Sequence, residues 1–199
     1  MNYLEINLLN ENDYCSKLYK KIIKDFNYDL VIFVAKGGYS LGKNMALLND
    51  CDFLEVIAER KGNKLKQKIK PLFKLLPKKL TVFIREKELK SVMHSKHSER
   101  KIQFNEKAYS RYKDKINNVL IIDDSVDTGN TVNITLNLIR GYFKKANVKF
   151  ASLNVMKKSN IYPDYYLFED TIIKGPWSSD SQENELFLKE YYEWHNNLK

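Results

Sequence analysis

An α/β fold, with a central and mainly parallel sheet flanked by helices, is what the sequence predicts, and three features carry that expectation. Two apolar runs, within Asp29–Ala35 and at Val119–Ile122, carry no polar face, as strands buried on both sides of a parallel sheet do. Each ends at a turn and is followed by a helix-compatible stretch, Tyr39–Asn49 and Val132–Phe143, which is the strand, turn, helix succession of parallel crossovers. With 199 residues and 43% hydrophobic content, the chain can bury one such core, so a single domain over 1–199 is expected.

The elements follow in order. Between Asp13 and Phe26, the residues Tyr14, Leu18, Ile22, Ile23 and Phe26 recur at helical spacing among lysines, which predicts an amphipathic helix lying on the sheet. The first strand stops at Lys36-Gly37-Gly38, where two glycines let the backbone approach a ligand and the lysine adds a charge that suits an anion. Phe53–Ala58 reads as a further strand. A basic, largely helical insert is then expected over 60–115. In it Leu65, Ile69, Leu72, Phe73, Leu75 and Leu76 keep helical spacing, Pro77 breaks it, and Leu80, Phe83, Ile84 and Leu89 resume it, so two helices are predicted.

From Ser91 to Tyr112 the insert turns polar and reads as a mobile or functional loop, with His94 and His97 taken as surface residues. The net charge of +9 is concentrated here: Arg60–Lys115 holds 19 Lys or Arg against 5 Asp or Glu, a balance of +14, while the rest of the chain carries −5. Such a run is read three ways, as a solvated face, as a cover over a polyanionic substrate, or as a nucleic-acid surface.

The richest stretch is Val119-Leu120-Ile121-Ile122-Asp123-Asp124-Ser125-Val126-Asp127-Thr128-Gly129-Asn130-Thr131. A buried strand stops at two adjacent carboxylates, and hydroxyls with a glycine then precede a helix whose free N–H groups and dipole can meet an anion. Carboxylates suited to sugar hydroxyls or a metal thus stand beside an anion cradle. This run resembles the signature of the type I phosphoribosyltransferases, with Ser125 where an apolar residue is usual. The wording is nearest to the hypoxanthine and xanthine-guanine enzymes of purine salvage.

The resemblance implies roles. Asp123 and Asp124 would hold the ribose hydroxyls of phosphoribosyl pyrophosphate (PRPP), directly or through Mg²⁺. Ser125, Val126, Asp127, Thr128, Gly129, Asn130 and Thr131 would form the PRPP loop, and Asp127 would take the acceptor's proton. Lys36, Gly37 and Gly38 match the family's pyrophosphate loop, which often begins with a non-proline cis bond, here Ala35–Lys36. The loop between the second and third strands would close over PRPP, excluding water. After a strand at Asn147–Met156, Lys157, or failing that Lys158, matches the lysine that contacts the oxo group of the base. Residues 157–182 resemble the family's hood, ending in Gly175-Pro176-Trp177, but Ile172 and Ile173 stand where an aromatic ring usually stacks on the base. Asn184–Leu198 reads as a terminal helix with a packing role.

The expected function is therefore Mg²⁺-dependent transfer of the phosphoribosyl group to an acceptor, an oxopurine first, with release of pyrophosphate. Two alternatives stand beside it: a transferase with a non-purine acceptor, and a regulatory relative that senses PRPP or nucleotide and binds nucleic acid through its insert. A homodimer is compatible with the sequence, nucleic acid ranks as a lesser partner, and no run is long enough to span a membrane. A cytoplasmic setting is expected, with Cys15 and Cys51 as packing residues rather than a disulfide.

Overall fold

The computed structural model describes residues 2–60 and 100–197. Along the chain run β1 (Asn2–Glu5), α1 (Glu11–Ile22), β2 (Leu30–Ala35), α2 (Tyr39–Asn49), β3 (Asp52–Arg60), β4 (Arg100–Phe104) and α3 (Glu106–Ser110). They are followed by β5 (Asn118–Val126), α4 (Asn130–Tyr142), β6 (Asn147–Val155), β7 (Tyr165–Glu169), β8 (Thr171–Lys174) and α5 (Asn184–Asn197). Among the described residues the main sheet has six strands in the order β4-β3-β2-β5-β6-β7, and β1 with β8 forms a separate two-stranded sheet. All neighbours in the main sheet run parallel except β4, which lies antiparallel to β3.

The alternation of side chains across a strand sorts the apolar runs into two cores. On one face Leu30, Ile32 and Val34 of β2 meet Val119 and Ile121 of β5, Phe150 of β6 and Val132 and Ile139 of α4. On the other, Val31 and Phe33 join Leu120 and Ile122 under Leu18 and Ile22 of α1, Leu41 and Met45 of α2, and Phe187 and Tyr191 of α5. Both faces are covered, so the strands read as unbroken apolar sequence. Each such side chain removed from water contributes about 1.5–3 kcal/mol.

Several expectations are corrected. The β5 strand does not stop at Ile122: it continues to Val126, because Asp123, Ser125 and Val126 keep register with Ser152, Asn154 and Val155 of β6. The acidic pair thus lies inside the strand's last residues. Tyr165–Glu169, placed in the hood by sequence, joins the main sheet beside β6. Asn2–Glu5 had no assigned structure, yet pairs with Thr171–Lys174. Of the insert, 100–115 supplies β4 and the short α3, so the polar stretch is partly ordered sheet edge; the two helices expected between Leu65 and Leu89, with His94 and His97, lie outside the described residues. Helix α1 runs over Glu11–Ile22 rather than to Phe26. Cys15 is buried and Cys51 half-buried, both as free thiols, and burial pushes the Cys51 thiol up to about 11. Among the described residues no helix is long and apolar enough to cross a membrane.

Candidate active site at the ends of β2 and β5

Strands β2 and β5 are hydrogen-bonded neighbours, with Leu30 opposite Val119 and Phe33 opposite Ile122, so the turns that leave them emerge side by side at one edge of the sheet. The first turn opens with a cis peptide bond between Ala35 and Lys36, as the resemblance implied. Its backbone closes on itself: the Gly38 amide donates to the Val34 carbonyl at 2.9 Å and the Tyr39 amide to that of Lys36 at 3.0 Å. A methyl group on Gly38 would sit 2.7 Å from the Ile122 carbonyl oxygen and 2.9 Å from that of Val34. A methyl on Gly37 would sit 2.5 Å from Asp124 Oδ1, so the glycine turn rests directly on the acidic pair.

Asp123 is 8% exposed, and one of its oxygens accepts the Asp124 amide at 2.9 Å. Burial first, and then the neighbouring Asp124 charge, holds the Asp123 carboxyl well above the usual carboxylate range. Burial also raises Asp124, against the opposing effect of its hydrogen bond with Asp123. The buried Trp177 indole nitrogen has no partner at full hydrogen-bond geometry, yet its N–H dipole faces Asp124 and favours the ionised form. Two adjacent, buried carboxyl groups whose charges oppose each other suit a hard cation. Among the described residues no cluster of three or more metal-type ligands occurs.

Beyond Val126 the chain turns round a small cavity of about 30 Å³ lined by Ser125–Val132, room for one compact polar group. Gly129, at φ +81°, caps the amino end of the 13-residue α4, and a methyl group there would meet the Ile161 amide nitrogen at 2.9 Å. The Thr128 hydroxyl accepts the Asn130 amide at 3.5 Å, which orients the turn. Amides, hydroxyls and the positive end of a helix dipole thus border one pocket. A larger cavity of about 400 Å³, lined by Lys113, Ile116 and Gly141–Ala146, lies at the opposite edge of the sheet and contains none of the residues singled out by sequence.

The remaining candidates are more spread. Lys157 follows β6; its amide donates to Asp170 Oδ1 at 2.8 Å and its exposed ammonium stands 3.8 Å from the same carboxylate. Lys158 is exposed beside it. Ile172 is buried in the small β1–β8 sheet, and Ile173 packs partly onto the core under α1 and α2. Sequence reasoning missed two participants: Trp177, quoted only as part of a turn, and Tyr192 of α5, whose hydroxyl accepts from the Lys36 ammonium. Neither carries a local signal, since each reaches the site from a distant part of the chain.

The family model described as "Phosphoribosyl transferase domain" matches residues 7–183. No curated protein matches the chain by sequence. Among solved structures it is similar to a purine phosphoribosyltransferase from Pyrococcus horikoshii Ot3, with 19% identity, a TM-score of 0.60 and coverage of 89% of this chain and 95% of that one. It is also similar to the Helicobacter pylori xanthine-guanine-hypoxanthine phosphoribosyltransferase, with 14% identity, a TM-score of 0.62 and coverage of 93% and 99%. A hypothetical protein from Neisseria gonorrhoeae solved with bound ppGpp gives 15% identity, a TM-score of 0.63 and coverage of 94% of each chain.

Proposed function

The chain belongs to the phosphoribosyl transferase family, and from that premise we propose that it moves the phosphoribosyl group of PRPP to an oxopurine base, with Mg²⁺, releasing pyrophosphate. The observation that carries this reading is the contact of Gly37 with the Asp124 carboxylate, because it brings a glycine turn suited to pyrophosphate against carboxylates suited to a ribose.

In this reading the amides of Val126–Thr131 and the Thr128 and Thr131 hydroxyls hold the 5′-phosphate in the small cavity at the head of α4. Asp123 and Asp124 hold the ribose hydroxyls and are the residues that would carry the metal. Mg²⁺ bound there would supply positive charge to the departing pyrophosphate. The bond from the anomeric carbon to pyrophosphate breaks, the bond to the acceptor nitrogen forms, and Asp127 takes the proton that nitrogen gives up. Positive charge gathers on the ribose as pyrophosphate leaves, so carboxylates beneath the sugar stabilise that moment more than the ground state. Lys157, or Lys158 next to it, donates to the oxo group of the base, with Ile172 and Ile173 on the hood side of the acceptor.

The test is pyrophosphate release from PRPP and Mg²⁺ against a panel of bases. Turnover with hypoxanthine, guanine or xanthine is expected. Turnover confined to another acceptor removes the purine assignment, for which the isoleucines in place of an aromatic ring are the opposing observation. A second, regulatory reading draws on the similarity to the ppGpp-bound Neisseria protein. It expects PRPP or ppGpp to bind without any base supporting release, and it assigns nucleic acid to the basic segment.

A further inference from the structure

The lysine of the glycine turn is seated by the terminal helix. Lys36 Nζ donates to the Tyr192 hydroxyl, lies 4.3 Å from the centre of the Tyr192 ring and 5.5 Å from that of Tyr191. Tyr191 is itself held: its ring is 3% exposed, its hydroxyl donates to the Glu55 carboxylate on β3, and the same carboxylate lies 2.8 Å from His195 Nδ1 one turn further along α5. Helix α5 is fixed to the sheet by Trp194 stacked on Phe53, with ring centres 5.0 Å apart and 18° between planes, and to α2 by the pair of Lys43 with Glu190.

The chemistry of this seat is selective. Among the described residues no carboxylate pairs with Lys36, whereas Lys43, one turn into α2, is paired with Glu190. Ring faces and a hydroxyl hold a cation in place without cancelling its charge, as a carboxylate would. Gly37, the next residue, abuts Asp124, so the position of Lys36 is passed to the turn that touches the acidic pair.

We infer that Tyr192, supported by Tyr191 and Glu55, is a positioning residue for the pyrophosphate turn, holding Lys36 so that its charge and the Gly37 backbone meet the diphosphate of the substrate. The inference rests on the PRPP reading of the site. It assigns α5 a part in the reaction through the lysine of the turn.

Calorimetric titrations with PRPP plus Mg²⁺, inorganic pyrophosphate plus Mg²⁺, and ribose 5-phosphate test it. Tyr192→Leu and Lys36→Met are each expected to weaken PRPP and pyrophosphate about tenfold, to leave ribose 5-phosphate unchanged, and to show no further loss when combined. Tyr192→Phe, which keeps the ring and loses the hydroxyl, is expected to lose only about threefold. Tyr192 is 44% exposed, so its replacement leaves the core intact, and thermal melting checks that. Equal weakening of ribose 5-phosphate, or a Tyr192→Leu effect that persists in the Lys36→Met background, overturns the inference. Wild-type PRPP binding that Tyr192→Leu leaves unchanged overturns it alone, while absence of PRPP binding by the wild type overturns the transferase reading with it.

Discussion

The turns after β2 and β5 begin alike and end differently. Both leave adjacent parallel strands, both use glycine, and both lead into a helix. The first is built for shape: the Gly38 and Tyr39 amides are taken up by the Val34 and Lys36 carbonyls, Gly38 is wedged between two carbonyl oxygens, and its lysine faces tyrosines. The second is built for charge: the carboxyl groups at the end of its strand are buried together, its glycine takes a left-handed conformation, and its cavity stays open to a small polar group. The same strand, turn and helix unit thus makes a rigid wall in one place and an electrostatic well in the other.

The largest expected effect breaks the second turn. Replacing Asp123→Asn together with Asp124→Asn removes the charge and should abolish Mg²⁺-dependent PRPP binding in calorimetry. The melting temperature in metal-free buffer should not fall, because two repelling buried acids are lost. Next comes a test of the wall. Gly38→Ala forces a methyl against backbone that cannot move aside and should cost about 1–3 kcal/mol of stability, read as a lower denaturation midpoint in urea.

Gly37→Ala separates the two properties. Its methyl meets the far end of the Asp124 side chain, which can rotate away, so stability should change little while PRPP affinity with Mg²⁺ falls about tenfold, or about 1.4 kcal/mol. If instead stability falls as for Gly38→Ala and affinity is spared, the contact with Asp124 has no bearing on the ligand. The smallest effect belongs to Thr128→Val, which removes one hydroxyl from the cavity and should weaken ribose 5-phosphate by about 0.5–1.5 kcal/mol without altering the Mg²⁺ dependence.

What the sequence made legible follows the range of the forces involved. Leu30–Ala35 and Val119–Ile122 are apolar on both faces, so burial alone marks them as inner strands. The carboxylates, threonines and glycine after them are consecutive, so their meeting needed no tertiary knowledge. The edge of the sheet was harder. In Arg100–Phe104 only Ile102 and Phe104 are apolar, and the surrounding lysines read as a solvated surface, yet pairing with β3 makes it a strand. The β5 strand outran its apolar run because backbone pairing to β6 continues after the side chains turn polar. Tyr191 and Tyr192 are neighbours in sequence with different duties, one buried with its hydroxyl on Glu55 and one exposed with its hydroxyl on Lys36, which a helical hydrophobic pattern cannot distinguish.

The parallel pairing of β1 with β8 has a bearing on the order in which the molecule is made. Asn2–Glu5 can find Thr171–Lys174 only after nearly all the intervening chain has been synthesised, and closing so long a loop is entropically unfavourable until the main sheet has drawn its ends together. Trp177, just beyond β8, reaches Asp124 from that late segment. A nascent chain halted before residue 170 can hold β2, β5 and their turns but lacks the strand that bears Ile172 and the indole beside the acids. Such a chain also lacks Tyr192 of α5, so on the proposed reading the seat of Lys36 and the hood side of the site are both completed only by the last residues to leave the ribosome.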